Sequence, residues 1–218
     1  MAGAAPRRVK SKQTRKKIFE AAAAILKERG EDYLTIANIC EQAGISKGTF
    51  FYHFNSKDDL MLYYLQEALD DYIISSKHVE EAGDDIYLKV LYLYEDYLAY
   101  CEDAGIDFVS SYYTPKNKAL DARRGMMSAP DAMNLTLREC AEGFARAQEK
   151  GYVRSDWSVE DLSLDCCSVV KGVIFEWCLS DGTIDQYAHL RHMLYAYFQN
   201  VLTDAYRSDF PHDEPPVG

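Results

Sequence analysis

No apolar run in this chain approaches the roughly 20 residues a membrane span requires, and its N-terminus has no apolar signal core. None of the six cysteines (Cys40, Cys101, Cys140, Cys166, Cys167 and Cys178) stands in C-x-x-C spacing. Most lie among apolar neighbours, where a reduced thiol behaves as a small hydrophobe. A reducing cytoplasm is therefore the expected compartment. Val, Ile and Thr never alternate with polar residues long enough to suggest a strand. There is no internal repeat, and no paired carboxylates, nucleophile–base arrangement or phosphate loop, so enzyme chemistry is not expected.

What is present first is a charge imbalance. The formal charge is −11 over 218 residues, yet residues 1–57 hold 11 Lys/Arg against 5 Asp/Glu, a net +6. The other 161 residues carry a net −17. A basic head on an acidic body gathers phosphate attraction at one end and repels nucleic acid at the other. Arg7, Arg8, Lys10, Lys12, Arg15, Lys16 and Lys17 form an arm that either touches phosphates or the minor groove, or only aids solubility.

The stretch LTIANICEQAGISKGTFFYHFNSKDDL, from Leu34 to Leu60, is the most informative in the chain. Thr35 is placed to cap a short helix with inward Ile36, Ile39 and Cys40. Ala43-Gly44-Ile45 makes a turn in which Gly44 can take the left-handed conformation. Ser46 caps a second helix whose first turn offers Lys47, Gly48 and Thr49. This is a helix-turn-helix, whose second helix fits the major groove of double-stranded DNA. Phe50 and Phe54 belong to the core of the head.

Capping and period-3.6 patterning predict helices over the rest. The first runs from about Ser11 to Arg29 and ends at Gly30. Ser56 opens a long fourth helix reaching about Glu80, with a break at Gly83-Asp84-Asp85. A Tyr-rich helix spans Asp85 to about Ala104, followed by a short segment from Ile106 to Tyr113. A further helix lies near Asn117 to Met127. Ser128-Ala129-Pro130-Asp131 opens one that ends at Lys150. Ser158 with Asp161 opens a helix to Leu179, and Thr183 with Gln186 opens the last, to about Tyr206.

The expected fold is all-α. Residues 1–57 form a basic arm and a three-helix DNA-binding head, residues 58–206 an all-helical ligand-binding and dimerisation domain, and residues 207–218 a disordered tail. The helix from Val159 to Leu179 is apolar nearly all round, so it must be buried on two fronts. Paired with the final helix, it would form half of a homodimeric four-helix bundle.

These residues resemble the TetR family of bacterial transcriptional regulators. The resemblance rests on Ile18, Ala21-Ala22, Gly30, Leu34-Thr35, Ala43-Gly44-Ile45-Ser46, Gly48-Thr49, Tyr52-His53-Phe54 and Ser56-Lys57-Asp58-Asp59-Leu60. It implies a dimeric repressor released from a palindromic operator by a small-molecule effector, aromatic or amphipathic in character. By analogy Thr35, Tyr52, His53 and Lys57 contact phosphates, while Lys47, Gly48 and Thr49 face the bases. Phe51 stands where members often carry a phosphate-binding Tyr, so it packs inside or touches a thymine methyl. A helical enzyme that inherited this head, and an interaction module whose head no longer reads DNA, are the alternatives.

Seventeen tyrosines are a large number for this length. Tyrosine suits a pocket for an aromatic or amphipathic molecule, and equally suits an ordinary core or rim. Candidate lining residues are Tyr94, Tyr97, Cys101, Tyr112, Tyr113, Phe144, Lys171 and Phe175. Lys171 either meets a ligand carboxylate or an Asp across the dimer, or reaches solvent over an apolar stem. His189 and His192 are spaced to share a metal, but no third ligand suggests itself, and no cofactor is expected.

Overall fold

A computed structural model describes residues 5–60, 69–70, 72–74, 77–114, 120–122 and 135–210. Among them the chain is helical, and the sole ladder-type pairing is an isolated antiparallel bridge between Val153 and Leu202. Compactness divides the chain into two units. The first comprises residues 1–68 and 104–117, the second residues 69–103 and 118–218.

In the first unit, α1 spans Ala5–Arg29, a single 3-10 turn Glu31–Tyr33, α2 spans Ile36–Ala43 and α3 spans Lys47–His53. The expected helix from Ser11 begins six residues earlier, so the backbone of the basic arm is helical from Ala5. The reason is local. Pro6 lies in the first turn, where its missing N–H costs nothing, and the Lys, Arg and Gln that follow are good helix formers. Ile18, Ala22, Leu26, Ile39, Phe50 and Phe54 are buried and form the core of this unit. Residues 106–112 form a helix of the same unit, and its Phe108 meets Phe19 edge to face, with ring centroids 5.8 Å apart.

Residues 57–60 open the next helix as expected. Ser56 Oγ accepts from the Asp59 N–H at 3.0 Å, and Asp59 Oδ2 accepts from the Asn55 N–H at 2.8 Å. Residues 69–70 and 72–74 are again helical. The helix does not continue to Glu80: Lys77 takes φ 61°, and a new short helix, α4, spans His78–Glu81. No glycine marked that break. Just past the break, His78 Nδ1 lies 3.0 Å from the buried Asp96 carboxylate.

The second unit packs α5 (Ile86–Ala104), α7 (Leu135–Glu149), α8 (Val159–Leu179) and α9 (Gln186–Val201); α6 is the 106–112 helix. Its core is aromatic at one end. Phe198 stacks on Phe144 at 5.9 Å and meets Tyr87 edge to face at 5.3 Å. Leu162, Val170, Val173, Ile174, Leu190 and Leu194 fill the rest. Ser158 caps α8 as expected, accepting from the Asp161 N–H at 3.0 Å. The helix expected near Asn117 to Met127 and the start at Ser128–Asp131 lie almost wholly outside the described residues.

Two expectations about the C-terminal end need correction. Thr183 does not cap α9, because its hydroxyl donates to the Ser180 carbonyl at 2.8 Å; Asp185 caps instead, accepting from the Ala188 N–H at 3.0 Å. The last helix stops at Val201, not near Tyr206. Leu202 bridges Val153, the Thr203 N–H donates to the Tyr152 carbonyl at 3.0 Å, and Thr203 caps a further helix, α10, at Asp204–Asp209. Residues 207–209, expected in the tail, are therefore helical, and 211–218 lie outside the described residues.

Candidate nucleic-acid interface

The helix-turn-helix is built almost entirely by local hydrogen bonds. Thr35 Oγ1 accepts from the Asn38 N–H at 3.2 Å and starts α2. Gly44 closes it at φ 62° and ψ 44°, with the Ile45 N–H donating back to the Cys40 carbonyl at 2.9 Å. A Cβ at that φ is strained whatever the space around it, so the glycine is needed for the turn. Ser46 then accepts from the Thr49 N–H at 3.0 Å, and the two hydroxyls lie 2.9 Å apart.

α3 is only seven residues long, and Phe50 is its one fully buried side chain. Fixing Phe50 inward turns the rest of the helix out. Lys47 and Gly48 are exposed and Thr49 is half-buried, while Phe51 and Tyr52 are 53% and 75% exposed. An exposed aromatic pair on a short helix is unusual for a surface that meets only water. Thr35 is exposed at the start of α2, and Lys57 is half-buried after α3. Phe51 does not pack inside, although its ring meets Phe50 edge to face at 5.6 Å. The expected core residues Phe50 and Phe54 are both buried.

Gly48 has no conformational reason to be glycine. A Cβ built there would meet nothing nearer than Ser46 Oγ at 3.7 Å, an ordinary contact. The fold would accept alanine, so packing within the chain does not require glycine here. His53 is half-buried, and its pKa lies below the ordinary value because burial disfavours the charged ring and Arg15 adds like-charge repulsion. The Arg15 guanidinium itself lies 5.6 Å from the Phe54 ring centroid.

Sequence reasoning passed over Tyr33, exposed two residues before Thr35. Its carbonyl accepts from the Asn38 side-chain amide at 2.8 Å, and the Arg29 guanidinium stands 6.0 Å from its ring. The signal was its place at the mouth of α2, beside a residue already singled out.

The candidate pocket residues fall in both units. Tyr112 and Tyr113 belong to the first, where both are buried and their rings meet at 5.8 Å. Tyr94, Tyr97, Cys101 and Phe144 are buried in the second. Burial pushes the Tyr94 phenol well above its usual range, and its buried hydroxyl has no hydrogen-bond partner among the described residues. Cys166 lies against Cys140, and burial raises its thiol too. Lys171 neither reaches solvent freely nor stands alone. Its ammonium donates to the Leu120 carbonyl and lies against Cys167, whose thiol is nonetheless raised by burial. Phe175 is 44% exposed and stands apart from this buried group. All six cysteines are free thiols, and no three His, Cys, Asp or Glu side chains converge on a metal position among the described residues.

Residues 18–64 match the family model described as bacterial regulatory proteins, tetR family. Along most of its length the chain is similar to the probable HTH-type transcriptional regulator ArpR of Pseudomonas putida, with 25% identity over 181 residues. That alignment covers 80% of this chain and 85% of the relative. The HTH-type transcriptional regulator TtgR, also of Pseudomonas putida, is 24% identical over the same coverage. Among solved structures, Thermus thermophilus FadR, a TetR-family repressor in complex with lauroyl-CoA, superposes with a TM-score of 0.64 at 19% identity. It covers 94% of this chain and 99% of its own. The SmeT–triclosan complex gives 0.60 at 16% identity, covering 94% and 97%.

Proposed function

Because the chain is a helix-turn-helix transcriptional regulator of the TetR family, we propose that it acts as a repressor, a homodimer released from a near-palindromic operator by a small aromatic or amphipathic molecule. The observation that carries the DNA half is α3, which buries only Phe50 and turns Lys47, Gly48, Thr49, Phe51 and Tyr52 outward. Lys47 reaches a guanine edge, Thr49 a base edge, and Gly48 lets the helix axis approach the groove. Phe51 offers a ring to a thymine methyl. Thr35, with the free N–H groups at the start of α2, and Tyr52, His53 and Lys57 hold phosphates on either side.

Support for a dimer comes from an apolar face left open on the last two long helices. Phe175, Leu179 and Met193 are 44%, 64% and 37% exposed, and nothing lies within 4 Å of a Cβ at Gly172. Two copies of this face close a four-helix bundle and place two recognition helices on successive major grooves, roughly 34–36 Å apart. A ligand held among Tyr94, Tyr97, Cys101, Phe144 and Lys171 would alter that separation, so both half-sites could no longer be engaged together. Structures similar to this fold carry lauroyl-CoA, which is amphipathic, and triclosan, which is aromatic.

The test is selection of bound duplexes from a random DNA pool, with affinity then followed against salt. An enriched two-fold-symmetric site with a steep salt slope is expected. Recovery of no sequence, from protein refolded to strip any resident ligand, would sink the reading.

A further inference from the structure

The second unit contains a cleft built largely from the C-terminal end of the chain, with none of Tyr94, Tyr97, Cys101 or Lys171 in its lining. Its volume is about 290 Å³, and its walls come from the first turn of α5, the end of α9 and α10. That size is at the low end of small-molecule pockets, roughly 300–1,000 Å³, and holds one ring with a short substituent. The walls are aromatic. Tyr87 meets Tyr195 at 6.3 Å and Phe198 at 5.3 Å, both edge to face. Tyr206 and Phe210 supply another pair, 5.2 Å apart.

We propose that this cleft binds a compact aryl carboxylate, with its ring among the Tyr and Phe rings and its carboxylate on Arg207 and Tyr195. Arg207 is pre-positioned for it. Nη1 donates to Asp204 at 3.1 Å and Nη2 to the Gln199 carbonyl at 3.0 Å, which orients the guanidinium and leaves Nε–H and the second N–H of each Nη as open donors. Tyr195 lines the cleft half-buried, and its hydroxyl has no hydrogen-bond partner among the described residues. The acids close by are already engaged. Asp204 holds Arg207, and Asp85 accepts from the Tyr206 hydroxyl at 2.7 Å and the Leu88 N–H at 3.0 Å. Two donors at a ring-lined cleft fit an anion attached to a flat ring better than an aryl cation, which would meet the Arg207 charge.

This cleft shares no lining residue with the effector pocket proposed above, although its Phe198 stacks on Phe144 of that pocket, and its test needs no DNA. Benzoate, benzyl alcohol and benzylammonium are titrated onto the full-length protein by saturation-transfer NMR. Benzoate is expected to bind more tightly than either of the other two. Arg207→Gln and Tyr195→Phe should each weaken benzoate, the first by about tenfold, while leaving benzyl alcohol unchanged. Phe210→Ala should weaken both, and Lys171→Met neither. The proposal is overturned if benzoate binds no better than benzyl alcohol, or if benzylammonium is preferred. It is equally overturned if Lys171→Met abolishes benzoate binding while Arg207→Gln and Tyr195→Phe leave it intact.

Discussion

Replacing Ser46 by alanine removes the cap of α3 without touching a charge. The hydroxyl at stake accepts from the Thr49 N–H at 3.0 Å and sits 2.9 Å from the Thr49 hydroxyl. Loss of a Ser cap costs about 1 kcal/mol. In a helix of seven residues anchored inward by Phe50 alone, little else restrains the first turn. In the proposed interface that turn carries Lys47, Gly48 and Thr49 to the bases, so its fraying should come directly out of operator affinity. With two heads engaged the loss is about 2 kcal/mol, or roughly 30-fold in Kd. The salt slope should not change, because no phosphate contact is removed. Fluorescence anisotropy on the selected operator at several salt concentrations measures both quantities. Ser46→Asn, an equally good cap, should recover most of the affinity. If the Asn variant were as weak as the Ala variant, or the Ala variant as tight as the parent, capping would not be what holds the reading turn.

Lys57→Ala should lower the magnitude of the salt slope by about 1 for each head that contacts phosphate; an unchanged slope would remove Lys57 from the interface. His53 is held below its ordinary pKa in the free protein. In folding terms its neutral form is favoured, so its contribution to stability is lost as pH falls from about 6.5 through its lowered pKa. A phosphate beside it would raise that pKa again. Operator binding should therefore take up a proton and tighten as pH falls toward the lowered pKa of the free protein, and His53→Gln should flatten the profile; identical profiles would place His53 away from phosphate. Asp85→Ala should cost about 3 kcal/mol in urea unfolding, as the α5 cap and the acceptor of the buried Tyr206 hydroxyl go together. A double-mutant cycle with Tyr206→Phe should show a coupling above about 1 kcal/mol, and strict additivity would refute the link. Leu179→Glu, at an exposed apolar position of α8, should give a monomer by sedimentation with an unaltered helix content.

The head was legible because its structure is made within short stretches of chain. Thr35, Gly44, Ser46 and the Ser56–Asp59 pair each act on residues three or four away, a distance that sequence patterning resolves. The misread positions depend on distant partners. Thr183 looks like a cap until the Ser180 carbonyl claims its hydroxyl, and α9 looks continuous until Thr203 is drawn to Gly151 and Tyr152, some fifty residues back. The break at Lys77 lies beside a contact of the same kind, His78 with Asp96 across eighteen residues. Exposure was the least legible property of the body. Phe175 and Tyr94 read alike as pocket aromatics, yet one faces outward and the other is fully buried.

The first compact unit is not a continuous piece of chain. Residues 104–117 return to it after the excursion through α5, and Phe108 closes onto Phe19 of α1. A fragment ending near residue 68 would keep every side chain proposed to read bases but strip the Phe108 contact from α1. Exchange of reading heads between relatives by a single N-terminal cut is therefore handicapped. A graft that also carries 104–117 should yield a sturdier chimera, and any remodelling of that returning segment touches the head as directly as a mutation within it.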